Sequence, residues 1–506
     1  MFAKLVLCFS AGAVASLSLP PAGFILCFFA LLYPMSASIA ATTPRQAALI
    51  MSAAGTGWFA FSLYWISNSL LVGDSPYLFL LPFSFFGLPL FLSFFWAGAG
   101  WLAHIMGRSH TQRLLLLLFF FCVLEWSRGY VLTGFPWSHP GQLALKHEIL
   151  AQSAAFVGMY GVGTALIMSL GGVMLLEHGK RFLGLALLVP LVILAGLGGY
   201  RYSAMPMLET QETGDKPAQT VRLIQPNVPQ NDRWKSDRLD RHLSRLIALS
   251  TQQKPVPHLV IWPESAIQAF YPQDASLLRQ LAKVSSAFDG YLLSGMITLD
   301  TASQLKNSAY FLDHDASQIE VSHKQHLVPF GEYVPARWIP FIDVIAGPVD
   351  FTSGHAQLFT HPDLGDIAML ICYEAIFPAF LRRQQDESGY NRPDMLVNLT
   401  NDAWFGRSAG PHQHLAQARM RAIEEGLPLM RVANTGISAG FDGYGRQLGR
   451  IELGHAGMVD IVVPPALPAP IFVRYGAVGL CIMLGYLLIL VIFVDPHFQK
   501  RQKMTH

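Results

Sequence analysis

Three side chains able to carry out acyl-transfer chemistry follow one another along the polar part of this 506-residue chain. Cys372 closes the apolar run Ile-Ala-Met-Leu-Ile, and Glu264 closes a second run, Leu-Val-Ile-Trp-Pro. Lys324 precedes a loop that is rich in proline and glycine. A thiolate can attack a carbonyl, a carboxylate can move protons, and an ammonium can stabilise the developing oxyanion. Each residue alone has an ordinary structural explanation, but their order and spacing together predict an acyl-transfer site.

The positions of the cysteines and the net charge limit the kinds of chemistry that the chain can carry out. Of the five cysteines, only Cys372 lies outside the apolar segments, so it has no neighbour for a disulfide or a zinc site. The chain contains no P-loop, zinc-ligand spacing or dinucleotide fingerprint, so we expect no metal and no organic cofactor. The formal net charge of +2 gives no support for nucleic-acid binding. The thiol is therefore expected to carry the chemistry.

The composition indicates a membrane protein. Hydrophobic residues make up 52% of the chain and charged residues 13%, roughly half the charged share that is usual in soluble domains. Apolar segments near the length that crosses a bilayer predict eight spans. These predicted spans are 3–19, 22–37, 47–71, 76–105, 113–132, 153–176, 181–200 and 472–494. Glu125 and Arg128, at i and i+3 in the fifth span, are expected to pair and so lower the cost of their burial.

The lysine and arginine residues predict the orientation. One side of the membrane then holds Lys4, Arg45, Arg108, Arg113, Lys180, Arg181 and the tail residues Lys500, Arg501 and Lys503. The facing loops at 19–21 and 72–75 contain no lysine or arginine. The positive-inside rule then places both termini in the cytoplasm and residues 201–471 outside, which is the periplasm in a bacterium with two membranes. The predicted organisation is a membrane domain at 1–200, a linker at 201–217, a catalytic domain at 218–470, the eighth span at 472–494 and a tail at 495–506.

Short apolar runs alternate with helical stretches in the polar domain, which favours an α/β layered fold. The predicted strands are 219–225, 258–262, 290–297, 307–313, 318–323, 366–372, 394–399, 429–434, 437–441 and 457–462. The predicted helices are 236–252, 274–287, 375–386 and 411–425. Periodicity does not separate a doubly wound sheet from other α/β layer arrangements.

Four phrases carry a family resemblance: WPES at 262–265, HLVPFGEYVP at 326–335, LICYE at 370–374 and NLTNDAWFG at 398–406. With the Glu-Lys-Cys order, they resemble the nitrilase superfamily and, within it, the bacterial apolipoprotein N-acyltransferases. The resemblance implies an α-helical membrane domain joined to an α-β-β-α sandwich. It also implies that Glu264 is the general base and acid, that Lys324 stabilises the oxyanion, and that Cys372 is the nucleophile.

The resemblance and the positions of the remaining residues suggest supporting roles. Glu332 would orient the lysine or a proton path, Tyr373 would line the acyl channel, and Glu374 would be structural or bind an amine. Further substrate contacts are predicted for Trp234 near a lipid entrance, Asn401 and Trp404 at the floor of the site, and Phe330, Phe341, Ile342 and Ile345 in an apolar lid. Such a lid would keep water from a thioester.

The implied reaction moves an acyl chain from a membrane phospholipid, through a Cys372 thioester, to the amino group of a diacylglyceryl cysteine on an apolipoprotein. The donor would be the sn-1 chain of phosphatidylethanolamine, and the enzyme is expected to be a monomer in the inner membrane. One alternative is a membrane-anchored amidase acting on small amides, although a single anchor would suffice for it. Another is a transporter or assembly factor, which would leave the three reactive residues unexplained.

The predicted orientation can be tested with an impermeant thiol probe. A cysteine introduced at Asp215 should react in cells with a permeable outer membrane, because residues 201–471 are expected in the periplasm. A cysteine introduced at Lys503 should react only after the inner membrane is opened. The reverse labelling pattern would mean that one span has been miscounted.

Overall fold

The computed structural model describes residues 1–71, 78–206, 219–232, 238–252, 257–271, 290–300, 303–313, 319–335, 350–389 and 391–494, with the isolated positions 281 and 286. These residues form two compact units. A helical unit contains Met1–Leu70, Leu78–Met205 and the chain from Pro470 onward, and an α/β unit is built on Pro206–Ala469.

The helical unit consists of apolar helices. They are α1 (Phe2–Ser16), α2 (Leu32–Ile39), α3 (Pro44–Ser62), α4 (Leu88–Met106), α5 (His110–Ser127), α6 (Glu148–Gln152), α7 (Ala154–Glu177), α8 (Arg181–Ser203), α12 (Ile471–Tyr475) and α13 (Val478–Phe493). Side-chain caps fix two of the starts. The hydroxyl of Thr43 accepts from the Gln46 N–H before α3, and the hydroxyl of Ser109 accepts from the Gln112 N–H before α5.

Three helical stretches in the described chain are long and apolar enough to cross a membrane: Leu78–Met106, α7 and α8. A fourth results if α3 and the following 3-10 helix, Tyr64–Leu71, are counted as one span bent by 49°. The other predicted spans coincide with shorter apolar helices or, at α5, with an 18-residue helix. The count of eight spans stays a prediction.

Two helices end at residues that differ from the predicted limits of their membrane segments, and those limits stay predictions. The fifth segment was expected to reach residue 132, but α5 ends at Ser127 and Arg128 caps it. The chain turns there because the Arg128 guanidinium donates to the Phe135 and Trp137 carbonyls. At the start of the predicted linker, α8 continues to Ser203 instead of ending at 200.

The predicted pairing of Glu125 with Arg128 is present. The Arg128 Nη2 atom lies 2.6 Å from Glu125 Oε2, and both side chains are buried. The Trp96 indole N–H donates to Glu125 Oε1 at 2.7 Å. A buried ion pair is tolerated only when its other polar atoms find partners, and here the indole and two carbonyls supply them.

Two sheets form the α/β unit. Their strands are β1 (Thr220–Gln225), β2 (Leu259–Ile261), β3 (Ile267–Tyr271), β4 (Tyr291–Leu299), β5 (Leu305–Leu312), β6 (Ile319–His323), β7 (Phe359–His361), β8 (Gly365–Ile371), β9 (Met395–Thr400), β10 (Leu429–Ala433), β11 (Ser438–Phe441), β12 (Gln447–Ile451) and β13 (Gly457–Val462). The first sheet has the order β13-β1-β2-β4-β5-β6, with β3 beside β4, and the second has the order β12-β11-β10-β9-β8-β7. The helices are α9 (Leu239–Thr251), α10 (Phe380–Ser388) and α11 (Ala409–Glu425).

Alternating side chains bring the two sheets together. Leu223 and Ile261 of the first sheet share one buried cluster with Met369 and Val397 of the second. The next residue on β1, Ile224, belongs instead to a cluster with Leu246 of α9 on the outer face of the first sheet. This layering arises because successive side chains of a strand point to opposite faces of its sheet, and both faces are buried. With α11 packed against β10, the result is the expected α-β-β-α sandwich.

The structure adds three strands that the sequence did not predict, β3, β7 and β12, which are short or polar. The helix predicted at 375–386 is α10, which begins only at Phe380. Residues Cys372–Ile376 form a 3-10 turn, and Ala379 has a positive φ of 58° after Pro378, so an α-helix cannot begin earlier. The helix predicted at 274–287 lies outside the described residues.

Gly295 on β4 provides a test of this framework. A Cβ atom at this position would lie 2.6 Å from Glu264 Cα and from the Pro263 oxygen, both of which are backbone atoms. Gly295→Ala should therefore displace the turn that carries Glu264. We expect the initial rate of the predicted acyl transfer to fall by about 100-fold, the size expected for a displacement of about 1 Å.

The matched control is Gly457→Ala on β13 of the same sheet, where the nearest atom to the added methyl group would be 4.0 Å away. Purified variants should be compared for initial rate and for thermal unfolding. Equal rates for Gly295→Ala and Gly457→Ala would contradict the tight fit at Glu264.

Candidate active site

The three predicted catalytic residues lie shortly after the ends of strands. Glu264 follows β2, Lys324 follows β6 and Cys372 follows β8. The Lys324 backbone N–H donates to the Asn307 carbonyl at 2.8 Å, which continues the pairing of β6 with β5 by one residue. Glu264 and Lys324 are buried, with 7% and 1% of their surface exposed. The structure thus places both side chains in positions where charge is costly without a partner.

Two carboxylates surround the lysine. The Lys324 Nζ atom lies 2.8 Å from Glu332 Oε1 and 3.9 Å from Glu264 Oε1. The second oxygen of Glu332 accepts from the Val328 N–H at 2.8 Å, which fixes the carboxylate within its loop. Burial alone would lower the pKa of Lys324, but Glu332, Cys372 and Glu264 outweigh it and raise that pKa. Lys324 is therefore an ammonium ion.

Asn307 on β5 joins the two carboxylates, and the sequence analysis missed it. Its Nδ2 donates to Glu264 Oε1 at 2.7 Å and to Glu332 Oε1 at 2.9 Å. Both N–H bonds of the amide are used in this way, and the opposite orientation would place an oxygen against two carboxylates. The available sequence signal was one buried amide within a strand that is otherwise mostly apolar.

The nucleophile candidate lies on a sharp backbone turn. Cys372 has a φ of +53°, which is uncommon for a residue with a side chain. The Thr400 hydroxyl lies 3.5 Å from its Sγ atom. Burial, and then the Glu264 charge, raise the pKa of the Cys372 thiol to about 12, against the opposing effect of Lys324. The resting thiol is neutral, so attack needs a base that takes its proton.

Glu374 connects the loop after Lys324 to the turn at Cys372. Its Oε1 accepts from the N–H groups of Gln325 and His326 at 2.7 and 3.0 Å, and its Oε2 accepts from the Ile371 N–H at 2.7 Å. Burial raises the pKa of this carboxyl to about 7 against these hydrogen bonds. Both oxygens are engaged by the backbone, which favours the structural role over the binding of an amine.

The other predicted residues differ in their surroundings. Asn401 is buried, donates to Gln230 Oε1 at 3.0 Å and accepts from Asn434 Nδ2 at 3.0 Å, an arrangement typical of a residue that holds the fold. Tyr373 is buried, and its ring lies 5.0 Å from that of Phe377. The exposed aromatic residues are Phe330 and Trp404, at 68% and 44%.

Several predicted contacts cannot be compared with the structure. Trp234, Phe341, Ile342 and Ile345 lie outside the described residues. Their predicted roles at a lipid entrance and in a lid stay predictions, as do the substrate contacts of Tyr373, Phe330 and Trp404.

Comparison with known proteins agrees with this architecture. Residues 220–462 match the carbon-nitrogen hydrolase family, and residues 11–172 match the apolipoprotein N-acyltransferase N-terminal domain. A CN-hydrolase superfamily protein from Xanthomonas campestris aligns in structure with a TM-score of 0.38 and 17% identity, covering 49% of this chain and 91% of that protein. The match to the carbon-nitrogen hydrolase family lies within the α/β unit.

Relatives of full length give the narrower assignment. The apolipoprotein N-acyltransferase of Rhodopseudomonas palustris is 35% identical over 457 residues, which is 87% of this chain and 84% of the relative. That of Rickettsia prowazekii is 30% identical over 503 residues, covering 97% of this chain and 98% of the relative. The chain belongs to the apolipoprotein N-acyltransferase family.

The geometry around Lys324 predicts that a positive charge at this position is not sufficient for activity without the shape of the lysine ammonium. Lys324→Arg keeps the charge, but it replaces a compact ammonium with a wide planar fork in a position bounded by Glu332, Glu264 and Asn307. We expect a loss in rate on the order of 10²–10³, the usual effect of losing one oxyanion contact.

Lys306→Arg is the matched control, because the Lys306 ammonium on the neighbouring part of β5 donates to the Ser353 carbonyl at 3.1 Å near the surface. It should keep its initial rate. Near-normal turnover by Lys324→Arg would show that only diffuse positive charge is needed there.

Proposed function

We propose that this protein transfers an acyl chain from a membrane phospholipid to the α-amino group of the diacylglyceryl cysteine of apolipoproteins. Family membership supplies the reaction class. The observation that carries the residue assignment is the cluster formed by Glu264, Lys324, Glu332 and Asn307 beside the turn at Cys372. The apolar helices support a membrane location, and the lysine and arginine pattern supports a periplasmic α/β domain at 218–470.

In the first half-reaction, Glu264 takes the thiol proton as Cys372 Sγ attacks the ester carbonyl of the phospholipid. The neutral resting thiol supports this order, because ionisation before attack would place a thiolate beside the Glu264 carboxylate. The Lys324 ammonium offsets the negative charge that develops on the carbonyl oxygen. Glu264 then returns its proton to the departing glyceryl oxygen, giving a lysophospholipid and a Cys372 thioester.

In the second half-reaction, the neutral α-amino group of the acceptor attacks the thioester carbonyl. Lys324 meets the oxyanion again, and Glu264 takes the proton that the nitrogen loses as the amide bond forms. The Cys372 thiolate leaves when the tetrahedral intermediate collapses, and Glu264 returns the proton to it. Both substrates enter the same site in turn, which makes the scheme ping-pong.

Glu332 and Asn307 support both steps without exchanging protons. Glu332 holds the Lys324 ammonium more closely than Glu264 does, at 2.8 Å compared with 3.9 Å. Asn307 fixes Glu264 Oε1 by donating to it at 2.7 Å. Glu264 is thereby oriented before substrate arrives.

The assay that tests the function uses purified protein in detergent micelles, phosphatidylethanolamine labelled in its sn-1 chain, and a diacylglyceryl peptide. Label on the peptide amine is the expected product. Label released only as free fatty acid would identify a hydrolase, and release of ammonia from small amides would favour the amidase alternative. Label transferred equally well from sn-2 would contradict the proposed donor position.

The thioester gives a separate prediction. Wild-type protein with phospholipid but no acceptor should gain the mass of one acyl chain in intact-mass analysis. Cys372→Ala should lose both the adduct and transfer while keeping its thermal unfolding midpoint, since the loss of one sulfur atom is a small packing change. Cys372→Ser could form an oxygen ester that deacylates slowly.

Cys481→Ala provides the control, because it removes an exposed thiol from α13 and should leave the adduct in place. Persistence of the adduct in Cys372→Ala would eliminate Cys372 as the nucleophile.

A further inference from the structure

A chain of buried polar side chains runs beneath the nucleophile turn, and the proposed reaction does not use it. Arg431 Nη2 lies 2.7 Å from Asp402 Oδ2, and Asp402 Oδ1 lies 2.8 Å from His414 Nδ1. His414 Nε2 then lies 3.1 Å from the carbonyl oxygen of Cys372. All three side chains are at most 1% exposed. The residues come from β10, from the loop after β9 and from α11, so three separate elements converge on one backbone carbonyl.

Hydrogen bonds to the Cys372 carbonyl can hold the turn at this residue in place. A non-glycine residue at a φ of +53° persists only where its surroundings fix it. The carbonyl oxygen of Cys372 has two donors, His414 Nε2 at 3.1 Å and the more distant Asn398 Nδ2 at 3.5 Å. His414 is the closer contact, and it connects the turn to the ion pair below.

The partners of His414 determine its protons. Burial alone would raise the pKa of Asp402, but Arg431 and then His414 outweigh it and lower that pKa. Asp402 is therefore a carboxylate that can only accept, and the Cys372 carbonyl can also only accept. A ring between two acceptors must donate from both nitrogens, because a neutral imidazole would direct a lone pair at one of the oxygens.

The charged groups around the ring oppose this requirement. Burial first, and then Arg431, lower the pKa of His414 more than Asp402 and the two hydrogen bonds raise it. Arg431 contacts Asp402, whereas Lys324 and Glu264 act on the Cys372 thiol. The doubly protonated ring thus depends on Asp402 and on the Cys372 carbonyl remaining in place.

We infer that His414 is a positioning residue for the nucleophile: its doubly protonated ring, fixed by Asp402, holds the Cys372 carbonyl and with it the left-handed turn that presents Sγ. The doubly protonated ring also places a positive charge at the backbone of the residue on which the thiolate develops. This inference rests on the proposed role of Cys372 as the nucleophile.

Two substitutions at His414 separate the effect of its hydrogen bond to the Cys372 carbonyl from the effect of its positive charge. His414→Leu removes both, whereas His414→Gln keeps an N–H donor for the carbonyl and loses the charge. The control is Gln417→Leu on the same helix, since Gln417 is fully buried and its amide donates to the Gln413 carbonyl at 3.4 Å.

The measurements are kcat, KM and the pH dependence of iodoacetamide alkylation at Cys372, followed by peptide mass mapping. His414→Leu should lower kcat per alkylatable thiol by about 100-fold, as for the loss of one preorganised donor, with little change in KM. The alkylation midpoint should rise by about one pH unit in both His414 variants, because a nearby positive charge has been removed. His414→Gln should recover part of kcat, and Gln417→Leu should match wild type.

The inference is overturned if His414→Leu lowers only the thermal midpoint while kcat per thiol and the alkylation profile stay unchanged. If that variant does not fold, Asp402→Asn decides, since it keeps an oxygen acceptor and removes the charge that retains the second proton. Its kcat per alkylatable thiol should fall as in His414→Leu, and a normal value refutes the inference. Transfer by Cys372→Ala would instead overturn the proposed function itself.

Discussion

The arrangement of the site depends on one buried ammonium. Lys324 is 1% exposed, and a charge at that depth is tolerated only beside opposite charges. Glu332 at 2.8 Å and Glu264 at 3.9 Å provide them, and Asn307 holds both carboxylates through one amide nitrogen. Two carboxylates and one ammonium leave one excess negative charge. Passing the thiol proton to Glu264 moves that charge to sulfur without adding another, so the cluster permits thiolate formation only when Glu264 accepts the proton.

The sandwich makes this cluster possible because its two sheets supply opposite sides of the site. Glu264, Asn307 and Lys324 belong to β2, β5 and β6 of the first sheet or follow them directly, and Cys372 follows β8 of the second. The shared core between the sheets fixes the separation of these strand ends. Glu374 adds a direct connection, since its two oxygens accept from the backbone on both sides, at Gln325 and at Ile371.

Apolar runs ending in Glu264 and Cys372 are local signals, so the sequence was sufficient for the strands that carry the site. The sandwich itself was expected from the family resemblance, because periodicity does not separate it from a doubly wound sheet. The sequence did not predict β3, β7 or β12, whose short or polar sequences acquire strand conformation only by pairing with a neighbour. It also missed Asn307 and His414. Nothing local distinguishes a buried asparagine on a strand from any other, and His414 reaches Cys372 across 42 residues of chain.

Asp402 shows the same limit of local signals. Locally it only begins a short 3-10 helix, Asp402–Phe405. Its ion pair with Arg431 forms because β9 and β10 are parallel neighbours that place Asn398 beside Arg431. In the proposed reaction, a carboxylate paired with a lysine accepts a proton from Cys372, while a carboxylate paired with an arginine retains one on His414. Two buried acid–base pairs would then have opposite purposes, one holding the backbone of the cysteine and the other exchanging its proton.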